Sequence, residues 1–366
     1  MKRLLLLASL LTPALASAEA LKDVFAHDFL IGAALNQNQF EGRDEKAAAI
    51  VRSQFDTISP ENNMKWGPIH PKPGQYEFSH ADSYVAFGEA NHMVIIGHNL
   101  VWHQNTPAWV FEDEQGKPLA RDKLLERLRD HIHTVVGRYK GRIKGWDVVN
   151  EAVNFDGSMR ESPWYRIIGP DYLEKAFQYA HEADPAAELY YNDYSLEVPA
   201  KRKGALALIK RLQAAGVPIA AVGLQSHDRL EWPKLEEVDA TIRDFAALGI
   251  KVNITELDID VLPATAKPDI ELEQTDKADP KLDPYRAGLP EAVQQELAKR
   301  YADLFKIYLK YPGTIERVTF WNVTDAESWL NHFPVKGRTN YPVLFDREGK
   351  PKPAYDAVVK LKETPK

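Results

Sequence analysis

Three glutamates stand directly after short apolar runs that are typical of buried β-strands. Glu151 ends the segment WDVVNE, Glu256 ends NITE, and Glu61 follows TISP. Burial penalises the charged form of a carboxyl group, so a glutamate at such a place is costly unless the protein uses it. Glu61 taken alone is better explained by a structural ion pair at the barrel rim. Glu151 and Glu256, at equivalent positions of two strands, are the stronger indication of a shared site.

Two carboxylates that converge on a polar, aromatic cleft suit the hydrolysis of glycosidic bonds. One carboxyl group protonates the leaving oxygen, and the other attacks the sugar or activates water. Aspartic-protease chemistry also pairs carboxylates, but it requires them in contact. Separate strands would keep Glu151 and Glu256 apart, so the pattern favours glycoside hydrolysis over proteolysis.

Two histidines also lie at strand ends, His98 in GHNLVWH and His227 in GLQSH. They are interpreted as hydrogen-bonding partners of sugar hydroxyls and of a carboxylate, with structural imidazoles as the alternative. The chain contains 0 cysteines and no H-E-x-x-H motif. We therefore expect neither a metal site nor a cofactor.

Trp102, Trp321 and Trp329 lie at or just beyond the ends of apolar runs. Their flat faces could stack on the C–H faces of sugar rings. Core packing is the alternative, because tryptophan is often largely buried. For Trp321 alone the two interpretations are equally good.

The elements that would position these residues alternate along the chain. Short apolar or β-branched runs are separated by helical patterns, such as the near-four spacing of apolar residues from Leu124 to Tyr139. Repeated βα units imply a parallel sheet, and eight of them predict one closed (β/α)₈ TIM barrel of the α/β class. An open doubly wound sheet is the alternative, but its glycine-rich motifs are absent. The eight runs are Phe29–Leu35, Phe55–Ser59, Met93–His98, Gly145–Val149, Glu188–Asn192, Ala220–Gln225, Lys251–Thr255 and Val318–Asn322.

Length and charge narrow the function further. The chain has 366 residues and 44% apolar residues, which supports one large core, and residues 19–366 are predicted to form one catalytic domain. Its 53 acidic and 46 basic residues give a formal charge of −7. That balance argues against nucleic acid as a partner, since binding it requires neutralised phosphates. It gives no support for an anionic membrane surface.

The first 18 residues read as a secretory signal peptide. A basic start, Met1 to Arg3, precedes an apolar run and the small residues ALASA. The apolar run is too short to span a bilayer, which takes about 20 residues. We therefore expect export, with cleavage after Ala16 or Ala18, and a secreted or periplasmic protein without a membrane anchor.

Two long segments follow predicted strands. Leu262–Pro290 contains five prolines, and Asp325–Pro342 follows the last strand. Both are predicted to be loops on the functional face of the barrel.

With these motifs the chain resembles glycoside hydrolase family 10, the endo-β-1,4-xylanases, over nearly all of residues 21–362. The order and spacing of the matching segments carry the resemblance more than any one of them. The segments are GHNLVW, WDVVNEAV, YNDY, GLQSH, TELD, TFWNVTDAESW and PVLFD. The Leu262–Pro290 loop looks longer than is usual in the family.

The resemblance implies a (β/α)₈ barrel that hydrolyses xylan and xylo-oligosaccharides with retention of configuration, as a monomer. Glu151, after the fourth strand, matches the general acid/base, and Glu256, after the seventh, matches the nucleophile. Asn150 matches the residue that hydrogen-bonds the sugar 2-hydroxyl.

The resemblance also implies which other residues contact the substrate. These are Gln225 and His227 beside the nucleophile, with Asp258 behind them; His98, Trp102, Trp321 and Trp329 around the reacting sugar; Glu61, Asn62 and Lys65 one sugar toward the non-reducing end; and Tyr194 on the leaving-group side.

Two other functions stay open at this point. An exported sugar-binding protein would also be rich in aromatic residues, but it would not need two glutamates at strand ends. A barrel hydrolase that acts on β-glucan would need them. Crowding by Trp329 against a hydroxymethyl group would favour xylose over glucose.

Overall fold

The computed structural model describes residues 19–264 and 279–363. Parallel strands close into a barrel, which confirms the predicted (β/α)₈ architecture and excludes the open sheet, because the first strand pairs with both the second and the last. Each of the eight predicted runs overlaps a barrel strand. The strands are β1 (Leu30–Leu35), β2 (Thr57–Pro60), β3 (Val94–Val101), β4 (Gly145–Asn150), β5 (Glu188–Asp193), β6 (Ala221–Leu224), β7 (His227–Arg229), β8 (Lys251–Asp260) and β9 (Ile315–Phe320).

One of these strands was not predicted. β7 is a short parallel strand that pairs with the outer end of β8, while β6 pairs with the inner end of β8. The barrel itself therefore runs β1 to β6, then β8 and β9. β7 has the polar sequence HDR, so it could not be predicted from a run of apolar residues.

Helices connect successive strands and cover the barrel. In the described residues they are α1 (Leu21–Val24), α2 (Gln37–Phe40), α3 (Glu45–Gln54), α4 (Trp66–Ile69), α5 (Ser79–Ala90), α6 (Arg121–Arg138), α7 (Pro163–Ile168), α8 (Tyr172–Ala183), α9 (Pro199–Ala214), α10 (Leu235–Ala246), α11 (Glu291–Tyr308) and α12 (Pro353–Val359). The same described ranges also contain five short 3₁₀ turns.

Local sequence explains where several helices begin. Asp44 caps α3 by accepting a hydrogen bond from the Ala47 amide at 3.0 Å. Ser162 caps α7, and Pro163 at the first helical position has the fixed φ that a helix start tolerates. Leu124, Leu128, Ile132 and Val136 of α6 are fully buried, as their spacing predicts.

The barrel interior is packed closely enough to require glycine. A Cβ at Gly145 of β4 would lie 2.2 Å from the Tyr190 hydroxyl of β5, inside van der Waals contact. Tyr190 is 2% exposed, and its ring lies 5.2 Å from the guanidinium group of Arg317 on β9. The filled interior forces the functional groups to the rim, where the strands end and the loops begin.

Some predictions lie outside the described residues. The predicted signal peptide, residues 1–18, does, and so do residues 265–278 of the Leu262–Pro290 loop. In the ranges 19–264 and 279–363, no helix has both the length and the apolar composition needed to cross a membrane.

Candidate active site

A cleft of about 1040 Å³ opens at the carboxyl ends of the barrel strands. Every site residue predicted from the sequence contributes to its lining, and none lies elsewhere. They are Glu61, Asn62, Lys65, His98, Trp102, Asn150, Glu151, Tyr194, Gln225, His227, Glu256, Asp258, Trp321 and Trp329.

Glu151 follows β4 and is held by hydrogen bonds from three side chains. Trp102 Nε1 donates to its Oε2 at 2.8 Å, while Asn150 Nδ2 and Gln225 Nε2 lie 3.2 and 3.1 Å from its Oε1. The backbone at Glu151 is left-handed, with φ 59°. Such a conformation costs a non-glycine residue about 1–3 kcal/mol and is concentrated at functional sites. The strain and the three donors fix the carboxyl group in one orientation.

Glu256 lies within β8, with its carboxyl group between two donors. Asn192 Nδ2 donates to its Oε1 at 2.8 Å, and His227 Nε2 lies 3.2 Å from its Oε2. Burial raises the pKa of Glu256. The hydrogen bond from His227 and the field of the nearby His98 more than offset that effect and leave the pKa below its ordinary value. Glu256 is therefore ionised at neutral pH, as a nucleophile must be.

His227 joins Glu256 to a second buried carboxylate. Its Nδ1 lies 3.0 Å from Asp258 Oδ1, and Trp329 Nε1 donates to Asp258 Oδ2 at 2.7 Å. Burial opposes protonation of His227, but the charges of Asp258 and Glu256 dominate and raise its pKa to about 10. His227 is thus an imidazolium at neutral pH, and both of its N–H groups donate to carboxylates.

A residue that the sequence analysis did not assign connects the two glutamates. Asn192 is the penultimate residue of β5, and its Nδ2 donates both to Glu256 Oε1 and, at 2.9 Å, to Asn150 Oδ1. Thr255 Oγ1 donates to Asn192 Oδ1 at 2.7 Å and so fixes which way the amide points. A Cβ at Gly223 would lie 2.2 Å from that same oxygen, so β6 needs glycine here. Asn192 lies in the quoted segment YNDY, and its place at a strand end was the available signal.

The contact between His227 and Glu256 predicts how the pH profile should respond to mutation. His227→Asn removes a positive charge that favours the ionised form of Glu256, so the pKa of Glu256 should rise. The acid limb of kcat/KM, which reports ionisation of the free enzyme, should move to higher pH. Initial rates on an aryl glycoside across the acid range would measure it.

His80→Asn is the matched control for this variant. It also removes an imidazole from a carboxylate, since His80 Nδ1 lies 2.6 Å from Glu41 Oε1, but neither residue lines the cleft. Its acid limb should coincide with that of the wild type. An acid limb of His227→Asn that stays in place, or moves to lower pH, would contradict the assignment of that limb to Glu256.

The loops after β2 and β3 form one half of the cleft. Lys65 Nζ donates to Asn62 Oδ1 at 2.8 Å and lies 4.9 Å from the Trp102 ring. Asn322 Nδ2 lies 3.4 Å from Glu61 Oε2. Burial raises the pKa of Glu61 and lowers that of Lys65. These groups offer a dense set of donors and acceptors of the kind that hydroxyl-rich ligands require.

Contacts with Asp147 and Trp321 orient the side chain of His98. Its Nδ1 donates to Asp147 Oδ2 at 2.9 Å, and its ring meets the Trp321 ring edge-on with centroids 5.5 Å apart. Both His98 and Asp147 are 2% exposed. Trp321 is 5% exposed, so it is largely packed while it still contributes to the cleft.

The opposite half of the cleft carries Tyr194 on a buried ion pair. Lys201 Nζ lies 2.9 Å from Asp193 Oδ1 and 3.3 Å from the centroid of the Tyr194 ring. Both charged side chains are 0% exposed. Arg160 donates to the Tyr194 hydroxyl at 2.9 Å and to the Glu151 carbonyl at 3.0 Å. Tyr194 is thereby tied to the backbone of Glu151.

A second buried ion pair lies under the loop that carries Trp329. Lys352 Nζ donates to Asp325 Oδ2 at 2.9 Å, and the two side chains are 7% and 0% exposed. Asn331 Nδ2 donates to the Asp325 carbonyl at 2.9 Å. Trp329 stacks on Phe333, with ring centroids 5.1 Å apart. The loop is therefore fixed on both sides of the indole.

Metal binding is not indicated in the part of the chain that the structure describes. Residues 19–264 and 279–363 contain no cluster of three or more His, Asp or Glu arranged to hold an ion.

The sequence profile of the family described as glycosyl hydrolase family 10 matches residues 20–361. Endo-1,4-β-xylanase A of Xylanibacter ruminicola is 47% identical over 344 residues, an alignment that covers 94% of this chain and 93% of the relative. The endo-1,4-β-xylanase of Geobacillus stearothermophilus is 42% identical over 351 residues, covering 94% and 99%.

Solved structures are similar over the same span. A GH10 endoxylanase retrieved from a sugarcane soil metagenome superposes with a TM-score of 0.90 at 47% identity, covering 94% of this chain and 100% of the other. Xylanase XynB from Paenibacillus barcinonensis, solved with a conduramine derivative, gives a TM-score of 0.84 at 37% identity, covering 94% and 99%.

Proposed function

Because the chain belongs to glycosyl hydrolase family 10 and is therefore a glycoside hydrolase, we propose that it is an endo-β-1,4-xylanase that acts by a retaining double displacement. Xylan and xylo-oligosaccharides are its substrates. The observation that carries the proposal is the pair of buried glutamates in different environments, Glu151 and Glu256, in one cleft. The names of the relatives, which are xylanases, support the choice of substrate.

In the first step the Glu256 carboxylate attacks the anomeric carbon, and Glu151 gives its proton to the departing glycosidic oxygen. The C–O bond to the leaving sugar breaks as the ester bond to Glu256 forms. In the second step Glu151 takes a proton from water, which attacks the anomeric carbon and releases Glu256 as a carboxylate. The hydrogen bonds from Asn192 and His227 stabilise that leaving carboxylate.

The two alternative functions, a sugar-binding protein and a hydrolase that acts on β-glucan, are decided by different observations. A sugar-binding protein without activity does not fit a chain that belongs to a hydrolase family. Action on β-glucan is the finer question, because glucose differs from xylose by one hydroxymethyl group. Trp329 lines the cleft and is fixed by Phe333 and Asp258. An indole held this firmly could not move aside for the larger sugar, so we propose selectivity for xylan.

A product analysis tests this proposal. The enzyme should release oligosaccharides of several lengths from xylan and little from cellulose. Retention requires the two carboxyl groups to be about 5–5.5 Å apart, and the first anomer released should then be β. Proton NMR during the first turnovers would measure it. An α-anomer would exclude the double displacement, whereas release from cellulose alone would exclude xylan as the substrate.

Asn150 is predicted to act mainly in the transition state. Its Oδ1 accepts from Asn192 and Gln225, its Nδ2 donates to Glu151, and the residue lines the cleft. A hydrogen bond to the sugar 2-hydroxyl strengthens as positive charge develops on the ring. Asn150→Ala should therefore lower kcat with little change in KM, by about 2–4 kcal/mol in activation free energy.

A 2-deoxy substrate separates this role from mere orientation of Glu151. If Asn150 contacts the 2-hydroxyl, the variant should lose little further activity on the 2-deoxy substrate. Rates of both proteins on both substrates complete the cycle. Additive losses would leave Asn150 as a residue that only orients Glu151.

Export and subunit state belong to the same proposal. We propose that residues 1–18 are a signal peptide cleaved after Ala16 or Ala18, and that the mature protein works as a monomer outside the cytoplasm. Amino-terminal sequencing of the exported protein and its elution volume in size-exclusion chromatography would test both points.

A further inference from the structure

Lys201 is a fully buried cation close to the cleft that the proposed mechanism does not use. Its side chain is 0% exposed, and its Nζ lies 2.9 Å from Asp193 Oδ1. Nζ also lies 3.3 Å from the centroid of the Tyr194 ring and 5.2 Å from that of Phe155, and the two rings meet edge-on. The ammonium group is thus enclosed by one carboxylate and two aromatic faces, which compensate for the loss of its hydration.

The two aromatic rings belong to the loops on either side of the proposed acid/base. Phe155 lies in the loop after β4, shortly after Glu151, and Tyr194 follows β5. The first of these loops packs closely on α9, since a Cβ at Gly157 would lie 2.4 Å from the Ala200 carbonyl oxygen. The buried ammonium group therefore joins α9 to both loops.

A chain of hydrogen bonds leads from Asp193 to the backbone beside Glu151. The Tyr191 hydroxyl donates to Asp193 Oδ2, and the Ala152 amide donates to the Tyr191 oxygen at 3.1 Å. Ala152 directly follows Glu151, whose φ of 59° is left-handed. A strained conformation of this kind persists only where the surrounding structure holds it. The bond from the Ala152 amide is one such constraint, and it depends on the carboxylate of Asp193.

The charge of Lys201 keeps Asp193 a strong acceptor. Burial raises the pKa of Asp193, and the adjacent ammonium group opposes that rise. Without the ammonium group, Asp193 would take up a proton more readily. A neutral carboxyl group accepts weaker hydrogen bonds than a carboxylate does. It would hold less firmly both the Tyr191 hydroxyl and the Tyr194 amide, which donates to Asp193 Oδ1 at 2.9 Å.

We propose that Lys201 is a positioning residue for the acid/base. By holding Asp193 as a carboxylate between the two loops, it fixes the backbone at Glu151 so that the Glu151 carboxyl group meets the departing glycosidic oxygen. The proposal rests on the proposed double displacement and refines it. Lys201 itself is buried and does not contact the substrate. Its contribution to the rate therefore grows with the need of the leaving group for a proton.

Aryl β-xylobiosides with different phenols measure this contribution directly. None has a sugar on the leaving side, so a change at Tyr194 affects them alike. Phenol departs poorly without a proton, whereas 2,4-dinitrophenol departs unaided. Lys201→Met keeps the length of the side chain and removes its charge. It should lower kcat/KM on phenyl β-xylobioside roughly 10–100-fold, the cost of a small misplacement of a catalytic group. On the 2,4-dinitrophenyl substrate, kcat/KM should be unchanged.

Tyr191→Phe tests the same connection without leaving a buried charge unpaired. It removes only the hydroxyl between Asp193 and the Ala152 amide, so its losses should depend on the leaving group in the same way. If Lys201 acts through this hydroxyl, the double variant should lose little more than Lys201→Met alone. Losses on phenyl β-xylobioside that simply add would contradict the proposed route.

Lys352→Met is the matched control, because it breaks the other buried ion pair, Lys352–Asp325, under the Trp329 loop. Its unfolding temperature should fall, while the ratio of kcat/KM on the two aryl substrates should stay that of the wild type. Equal losses of Lys201→Met on both substrates, or no loss on either, would overturn the positioning role alone. Wild-type protein that fails to hydrolyse xylan would overturn the proposed function itself.

Discussion

Replacing Glu256 by alanine is expected to lower kcat on xylan on the order of 10⁵-fold, the largest effect of any single substitution in this chain. The reason is that, in the proposed mechanism, the first bond of the reaction forms to this carboxylate. Its low pKa and its contacts with Asn192 and His227 prepare it for that attack. Steady-state rates of the purified variant, together with its circular dichroism spectrum, would measure the loss.

Azide provides a sharper test of the same assignment. In Glu256→Ala the anion can enter the space of the missing carboxylate and displace an activated leaving group directly. One displacement inverts the anomeric carbon, so the product should be an α-glycosyl azide. Glu316→Ala is the control, because Glu316 is a half-exposed carboxylate near the start of β9 that pairs with Lys251 and does not line the cleft. A β-azide from Glu256→Ala would assign the nucleophile elsewhere.

Replacing Glu151 by alanine should give a loss that depends on the leaving group. The leaving group in xylan is a sugar oxygen, which departs poorly unless it is protonated, so the hydrolysis of xylan should slow by roughly 10²–10⁴-fold. A nitrophenolate departs without help, so the first step on an aryl xylobioside should persist. The second step still lacks its base, so the covalent intermediate should accumulate. Its formation would appear in stopped-flow traces as a burst of released nitrophenol.

The same anion distinguishes the two glutamates. In Glu151→Ala azide attacks the intermediate on Glu256, and this second inversion should give a β-glycosyl azide with restored turnover. Glu161→Ala, an exposed glutamate outside the cleft lining, should behave as wild type. Equal losses on good and poor leaving groups would contradict the role of Glu151 as the acid and base.

The strand-end glutamates could be predicted because their signal is local. A carboxylate directly after a buried run is unusual in itself, and the barrel topology then brings Glu151 and Glu256 to one rim. The eight runs were recognisable for the same reason, since parallel strands buried on both faces read as apolar segments. The polar strand β7 gives no such signal, because pairing with the end of β8 defines it.

Other features depend on contacts that sequence spacing does not encode. Asn192 stands in a recognised segment, yet its link between Asn150 and Glu256 requires three strands in register. Lys201 lies in the basic stretch PAKRKG, and nothing in that stretch distinguishes it from its neighbours Arg202 and Lys203. In the structure its ammonium group is fully buried against Asp193, because α9 packs that face onto the end of β5. The positions of Asn192 and Lys201 therefore depend on tertiary packing and not on local sequence.

The two buried ion pairs, Lys201–Asp193 and Lys352–Asp325, bear on the media in which the protein can work. Dissolved ions weaken electrostatic attraction only where they can approach, within a Debye length of about 8 Å at 0.15 M ionic strength. Exposed pairs such as Arg121–Asp171, with side chains 42% and 41% exposed, lie within their reach. The pairs beneath Tyr194 and the Trp329 loop are buried, so dissolved ions cannot approach them. High salt should therefore weaken the exposed ion pairs between the outer helices before it affects the buried pairs that support the cleft.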